Sequence, residues 1–577
     1  MRTKFKLNVL AYSVAIVIAG CGGSNDALTA PPPNVNSNAP VISPEVQSAA
    51  AKLATDASIQ AIVAEWRTPS HAQARFDQHL ELVRIASPSR SEYNRALEIK
   101  RRMVEEWGFL PSEIKTRDDG TLPGSDVQIV DGLPVYNICA EIKGSYSSSP
   151  GAVSYRGQYP KVLVESHIDT VNPEKLTYRY EPVKLQPISL PIVTTPAALA
   201  GLPDELVFDA NGRIVRDANY LKARRYYASA EAATAGGATR IYVPGYGDAM
   251  SNVSAVMNIA KAMKKHNIKP VYDVWFCGTA GEEGKGNLAG MKQLYGYDQN
   301  LGTGSNPLNF VTNFGIDGAS GVVNLGTINF IGSYRFEMKY SAPAAPGPNA
   351  PSALKAAAAS IARIADIKTP WDIDKTALKT TYTVGVANCE APAAGSAVVP
   401  SCTIQVDMRS PRLEPLRDIR SRIEPLFQAG VSEENARHSV ADASAQAVKL
   451  ELVWFGDRPP HERTDKSDVS IQAAWQSALT VGVDQLTELP TSANSLNDNV
   501  PAAIGVPTIN LSIDTGATGG GAHSFWEWGV PGDSAKEVLR LQRVMTAALI
   551  ASGFQATDGS IVAPAAPAMG KRTSEVK

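Results

Sequence analysis

The sequence predicts an α/β fold: a mixed, mostly parallel sheet flanked by helices, with a smaller α/β sandwich inserted into it. Three observations predict it. Strand-like and helix-like segments alternate along most of the chain. The run Lys161–Ile168 (KVLVESHI) is nearly continuous in apolar residues, as in a strand covered on both faces. From about Ser333 to Phe455 the texture changes to longer strand-like pieces separated by two helical runs. At 577 residues the chain is too long for one simple core, so more than one domain is expected. A formal net charge of −2 gives no electrostatic case for nucleic acid.

The elements follow in order. Ser89-Arg90-Ser91-Glu92 reads as a capping box opening a helix that runs to about Trp107, with Gly108 as its stop. Tyr136 to Ile142 reads as a strand, and Lys161 to Ile168 as a buried one. Ser251 to His266 is a helix with Val253, Met257, Ala260 and Met263 on one face and basic residues at its C-terminal end. Val271 to Cys277 and Pro507 to Ile513 are further strands. In the inserted region, strand-like pieces lie at Tyr334–Tyr340, Thr380–Val386, Thr403–Met408 and Lys449–Trp454, with helical runs at Ser352–Ile367 and Glu414–Ala429. The expected divisions are therefore a main domain at 49–332 and 457–556, and an inserted lid at 333–456.

The two ends read differently. Arg2, Lys4 and Lys6 precede an apolar run, Leu7 to Gly20, too short to span a membrane comfortably. The run ends at Ile18-Ala19-Gly20-Cys21, which resembles a bacterial lipoprotein cleavage box. This implies a signal peptide at 1–20, a lipidated Cys21 and anchoring in the cell envelope. Gly22 after the cysteine implies the outer membrane, facing the periplasm. Residues 21–48, rich in Asn, Ser, Pro and Ala, read as a disordered tether, and 557–577 as a flexible tail. Export permits a disulfide between Cys389 and Cys402, or leaves two free thiols there. Cys139 and Cys277 sit in apolar runs and read as buried thiols.

Five residues able to bind metal stand in short motifs: His167 in Ser166-His167-Ile168-Asp169, Asp248 in Gly247-Asp248, Glu283 in Glu282-Glu283-Gly284, Asp317 in Asp317-Gly318, and His523 in a glycine-rich loop. Two histidines and three carboxylates suit two divalent ions sharing one bridging carboxylate. Several follow the C-terminal ends of expected strands, where open α/β sheets place their sites. Asp169 is placed to orient His167. Of the adjacent pair Glu282 and Glu283, one can ligate while the other takes a proton from an attacking water. Each motif alone has a plain structural reading; the joint set points to hydrolysis of an amide bond. His71, His79, His266 and His438 fall in helical or polar contexts and carry no catalytic expectation. His461 is ambiguous.

With these motifs in place, roughly Ser70 to Gly553 resembles the di-zinc exopeptidases, the family of carboxypeptidase G, acetylornithine deacetylase, succinyl-diaminopimelate desuccinylase and tripeptide aminopeptidase. The stretch Gly519–Ser524 with Glu527-Trp528 is similar to the tripeptide aminopeptidase branch. The resemblance implies that His167 and Asp317 hold one zinc, Glu283 and His523 the other, and that Asp248 bridges them. It implies Asp169 as the residue orienting His167, Glu282 as general base and acid, and Arg409 as a lid contact to substrate carboxylates. Cobalt or manganese would fit the same groups. The implied substrate is a short peptide; the alternatives are an N-acyl amino acid, or a non-catalytic protein that binds peptides.

The chain also departs from the family. No histidine lies in Ser341–Gly347, where the lid histidine is expected; Ala397 replaces a lid asparagine; Asn497 stands where a late aspartate is expected, beside Asp498. These put the family's homodimer and its oxyanion donor in question. An insert around 174–239 lengthens the distance from Asp169 to Asp248.

Overall fold

The computed structural model describes residues 39–571, apart from 84, 86, 90–91, 117–134, 172–240, 243–244, 299–301, 319–324, 346–349, 376–378, 391–396, 464, 483–485, 487–488, 491–492, 512–518, 521, 524–526 and 530–533. The signal segment, Cys21, most of the tether, the 174–239 insert, part of Ser341–Gly347 and the last six residues lie outside the described residues.

Six strands form the main sheet, in the spatial order Ile114–Thr116, Ile138–Ile142, Asp273–Thr279, Lys161–His167, Phe310–Gly315 and Thr508–Asn510. The last four are parallel; the first two join antiparallel at one edge. Lys161–His167 lies between two parallel neighbours with all seven residues buried. Its side chains alternate between two apolar cores. Val162 and Val164 face the larger core, while Leu163 packs with Trp275, Met291 and Leu294 on the other side. The larger core is filled from helices Pro44–Thr55, Ala57–Trp66, Asn252–Lys265, Val469–Thr480 and Ser534–Ser552. A parallel sheet needs this cover on both faces, because its strands carry few polar side chains to present to water.

The second sheet has the order Thr381–Cys389, Ser401–Ser410, Gly332–Ser341 and Lys449–Arg458, all antiparallel. Helices Ala353–Ala365 and Leu413–Arg437 cover one face, burying Phe336, Met338, Tyr340, Ile404, Val406 and Met408. The alternate positions point the other way and are polar: Arg335 is paired in register with Asp407, and Ser333 with both Arg409 and Arg458. This is the two-layer sandwich expected for the insert.

Four expectations need correction. Order begins before residue 49: Ser43 caps a helix at Pro44–Thr55, which buries Val46, Ala49, Ala50 and Leu53. The apolar spacing of that helix is hidden within an alanine-rich, polar stretch. The tail is not loose through 571. Ile561–Val562 pairs with Phe554–Gln555, Ala565 and Ala566 donate to the carbonyls of Ile550 and Ala551, and Gly570 N–H reaches Asn309 Oδ1 at 2.9 Å. Ser89 does not cap a helix, since the helix is Tyr93–Glu105 with Glu92 at its N-cap. Finally, Cys139 and Cys277 are not thiols but a disulfide; they are register partners on adjacent antiparallel strands, with Cα atoms 4.0 Å apart. Cys389 and Cys402, also register partners, form a second disulfide. Pairing of this kind depends on which strands lie side by side, and an apolar run does not reveal that.

Candidate metal centre

The candidate ligands lie at or just beyond strand ends of the main sheet, or in the loops beside them. His167 is the last residue of its strand and is 1 % exposed. Asp317 follows the neighbouring strand Phe310–Gly315, and Glu282 and Glu283 follow Asp273–Thr279. Asp248 lies in the turn Tyr246–Ser251 that leads into the helix Asn252–Lys265. That turn needs glycine at its start: Gly245 has φ +81°, and a Cβ there would meet the Thr170 methyl at 2.3 Å. His523 comes from the late glycine-rich loop.

The structure brings all five together around Asp248. His167 Nε2 lies 3.0 Å from Asp248 Oδ1 and 3.5 Å from Asp317 Oδ1. His523 Nε2 lies 3.0 Å from Asp248 Oδ2 and 3.1 Å from Glu283 Oε1. Two ligand triads therefore share one carboxylate, His167–Asp248–Asp317 and Asp248–Glu283–His523. The donor set fits two cations. An imidazole nitrogen facing carboxylate oxygens at these distances needs either a proton or a cation between them. Without a cation, the imidazoles keep the proton and donate it to the carboxylates. Hydrogen bonds to Asp248 and Glu283 raise His523 to about 11. Burial works against charge on His167, but Asp317, Asp169 and Asp248 outweigh it and raise its pKa. Burial and then Asp248 push Glu283 up to about 8.

Asp169 sits beside His167 but differs from the expectation in detail. The His167 Nδ1 contact at 3.0 Å is to the Asp169 main-chain oxygen; the carboxylate is 3.5 Å away. The carboxylate instead accepts the amides of Glu282 and Glu283, at 2.9 and 2.8 Å, and the hydroxyl of Ser89. Asp169 thus holds the backbone of the glutamate pair in place and orients His167 through its carbonyl. Buried Arg95 fixes the same segment by donating to the Ile168 carbonyl at 2.6 Å.

Glu282 is buried, and its Oε1 receives Arg458 Nη1 at 2.7 Å; Arg458 also donates to the Glu282 carbonyl. Burial raises the Glu282 pKa, and Arg458 pulls it back. Arg458 belongs to the last strand of the second sheet, so Glu282 is held by a cation from the other sheet. Arg409 lies on the same inner face but turns to Asp407, with Nε and Nη2 at 3.1 and 2.8 Å.

Glu527 and Arg458 hold roles that no local sequence motif assigns, and Ser89 binds Asp169 instead of capping a helix. Glu527 accepts the amides of Gly245, Gly247 and Asp248 at 2.7, 2.7 and 3.0 Å, fixing the turn that carries the shared carboxylate. Its only advance signal was its place in the glycine-rich loop motif. His79, set aside from the sequence, lies 2.8 Å through Nε2 from the Tyr246 carbonyl in that same turn. Asn497 and Asp498 are tied into the sheet instead. Asn497 donates to Glu165 and Thr279, and Asp498 accepts from Asn313 and Asn510. His461 pairs through its backbone with Phe330 and belongs to neither triad.

No family model matches the sequence, and no curated protein does. Among solved structures, the chain is similar to a tripeptidase from Staphylococcus aureus. The identity is 16 %, the match covers 83 % of this chain and 98 % of that one, and the TM-score is 0.51. It is similar also to human carnosine dipeptidase 1, at 12 % identity, covering 85 % of this chain and 98 % of that one, with a TM-score of 0.51. At these identities the likeness is one of fold, and it spans nearly the whole of both neighbours.

Proposed function

We propose that this protein is a metal-dependent hydrolase that cleaves the peptide or related amide bond of short peptides. The observation that carries the reading is the shared carboxylate: Asp248 offers one oxygen to each of two imidazoles, and each imidazole has a further acid beside it. His167 and Asp317 would hold one divalent ion, Glu283 and His523 the other, and Asp248 both. Zinc suits these donors, as would cobalt or manganese. Such ions polarise a carbonyl and make water more acidic.

The chain's own groups supply the rest. Glu282 groups with His167 and Glu283 but belongs to neither triad that shares Asp248, and its carboxylate takes the proton of the attacking water. The carbonyl carbon gains the hydroxyl, the C–N bond breaks, and Glu282 returns the proton to the departing amine. Arg458 holds that carboxylate in position. Asp169 and Ser89 keep the Glu282–Glu283 backbone from shifting. The neighbours named as a tripeptidase and a dipeptidase support a peptide substrate.

The test is metal content measured together with turnover, on wild type and Glu282→Gln, against di- and tripeptides and N-acyl amino acids. About two ions per chain are expected, with turnover reduced by about 10²- to 10⁴-fold in the variant while metal is retained. Turnover of N-acyl amino acids alone would move the substrate class to deacylation. A protein that takes up no metal on reconstitution would remove the basis of the reading.

A further inference from the structure

A cavity of about 400 Å³ lies where the second sheet and the helix Leu413–Arg437 meet the main domain. None of the candidate metal ligands lines it, nor does Glu282. One wall comes from the first turns of that helix. Leu413, Arg417 and Arg420 are spaced at i, i+4 and i+7, so they share one face. Leu416, Ile419 and Ile423 lie on the adjoining face and are buried in the core of the second sheet. Tyr334 and Trp454 come from the sheet itself, and Tyr297, Pro459, Pro460 and Ala503 from the main domain.

The guanidinium of Arg420 packs over the Trp454 ring, 3.9 Å from its centroid, and lies 5.7 Å from that of Tyr334. Its Nε donates to Glu424 at 3.1 Å, while its two terminal nitrogens make no hydrogen bond among the described residues. The side chain is 38 % exposed, so an incoming group can reach them. Arg417 is exposed and hydrogen-bonds Tyr334. Among the described residues, the one carboxylate in the lining is that of Asp457. Burial raises its pKa, and Lys292 pulls it back, ahead of Arg420 and Arg417. Lys292 is itself buried and donates to the Asp457 carbonyl at 2.6 Å. Asp457 is therefore answered mainly by Lys292, which leaves the outer edge of Arg420 for another anion. A guanidinium already packed on an aromatic ring gives up little further freedom when it binds one.

We propose that this cavity binds a small organic anion, its acidic group on Arg420 with Arg417 and its apolar body on Leu413, Pro459, Pro460 and Ala503. The volume suits a compact molecule, and the mixture of a few charged donors with apolar walls is that of a small-molecule site. Those residues belong to both the inserted lid and the main domain, so an occupant touches both. The site is separate from the metal centre, and its test is binding alone, whatever reaction the metal centre performs.

The probe is benzenesulfonate, whose sulfonate is a poor metal ligand, titrated into the protein by calorimetry. Methyl phenyl sulfone serves as the same body without charge, and methanesulfonate as the charge without the body. Wild type is expected to bind one benzenesulfonate per chain, about 10-fold or more tighter than either control. Arg420→Gln is expected to weaken benzenesulfonate about 10-fold while leaving methyl phenyl sulfone unchanged. Arg437→Gln removes the same charge near the other end of the helix and is expected to change nothing. Three results overturn the proposal: no saturable binding by wild type up to about 10 mM, unchanged affinity in Arg420→Gln, or an equal loss in Arg437→Gln. If Arg420→Gln fails to fold, Arg417→Gln at its exposed position replaces it. A loss of the same sign is then expected, and no loss counts against the site.

Discussion

Two surfaces meet at Glu282, and they are finished to different degrees. On the main-sheet side, the carboxylates of Asp169, Asp248, Glu283 and Glu527 all have partners, several of them backbone amides. On the inner face of the second sheet, Arg335 and Ser333 keep buried donors unused. Negative charge on the first side is fixed by the fold itself, so it can hold cations wherever the backbone puts them. On the second side Arg458 is paired with Glu282 and Arg409 with Asp407, while two buried nitrogens of Arg335 have no hydrogen-bond partner. The difference is that the main sheet satisfies its charges with backbone amides, whereas the second sheet satisfies its own with side chains or leaves them buried.

The two sheets differ most in their disulfides, one in each. Cys139–Cys277 closes a separation of 138 residues and Cys389–Cys402 one of 13. By loop-closure entropy, replacing the first pair by serine is expected to lower stability by about 5 kcal/mol and the second by about 3 kcal/mol. Denaturant unfolding of the two double variants checks the order, and a reversed order would mean that native-state packing around the cysteines outweighs loop closure.

His79 tests how firmly the main-sheet side is held. Burial pushes its pKa down to about 4, from the 6.5 of an exposed histidine. The unfolded chain binds this proton below 6.5, whereas the folded chain refuses it until about 4. The stability is therefore complete above pH 6.5 and is lost as the pH falls toward 4, by about 3 kcal/mol. His79→Gln keeps a donor for the Tyr246 carbonyl and is expected to flatten that part of the profile of unfolding midpoint against pH.

A smaller effect is expected from Glu527→Gln. The amide can no longer accept from Gly245 on one side and from Gly247 and Asp248 on the other, so the Asp248 turn loosens. Zinc affinity should fall about 10- to 100-fold in a competition titration, the usual cost of losing a group that orients a ligand. Smallest of all is the stability change for Arg409→Gln. Its ion pair with Asp407 has a side chain 48 % exposed, and thermal unfolding should move by less than about 1 kcal/mol.

How much of this is legible in the sequence depends on what each residue binds. His167 and His523 stand out because the chain has only 7 histidines, and Asp248, Glu282, Glu283 and Asp317 because each sits beside glycine in a short motif. The alternating strands and helices are legible for the same reason, since periodicity is local. Ser89 is misread because a serine three residues before a glutamate looks like a helix cap, while its real partners, Asp169 and the Glu283 carbonyl, are 80 and 194 residues away. Glu527 and Arg458 give no such local sign: one serves amides up to 282 residues distant, the other a carboxylate 176 residues back. The Cys139–Cys277 bond is hidden because it depends on the lateral order of strands.

The packed C-terminal segment has a practical side. Gly570 lies so close to the strand Phe310–Gly315 that a Cβ on it would fall 2.1 Å from the Phe310 carbonyl oxygen, and Ala566 is buried in the larger core. A gene cut after residue 556, where the composition turns loose, would therefore strip a plug from beneath the central sheet. A reading frame kept through residue 571 retains the plug.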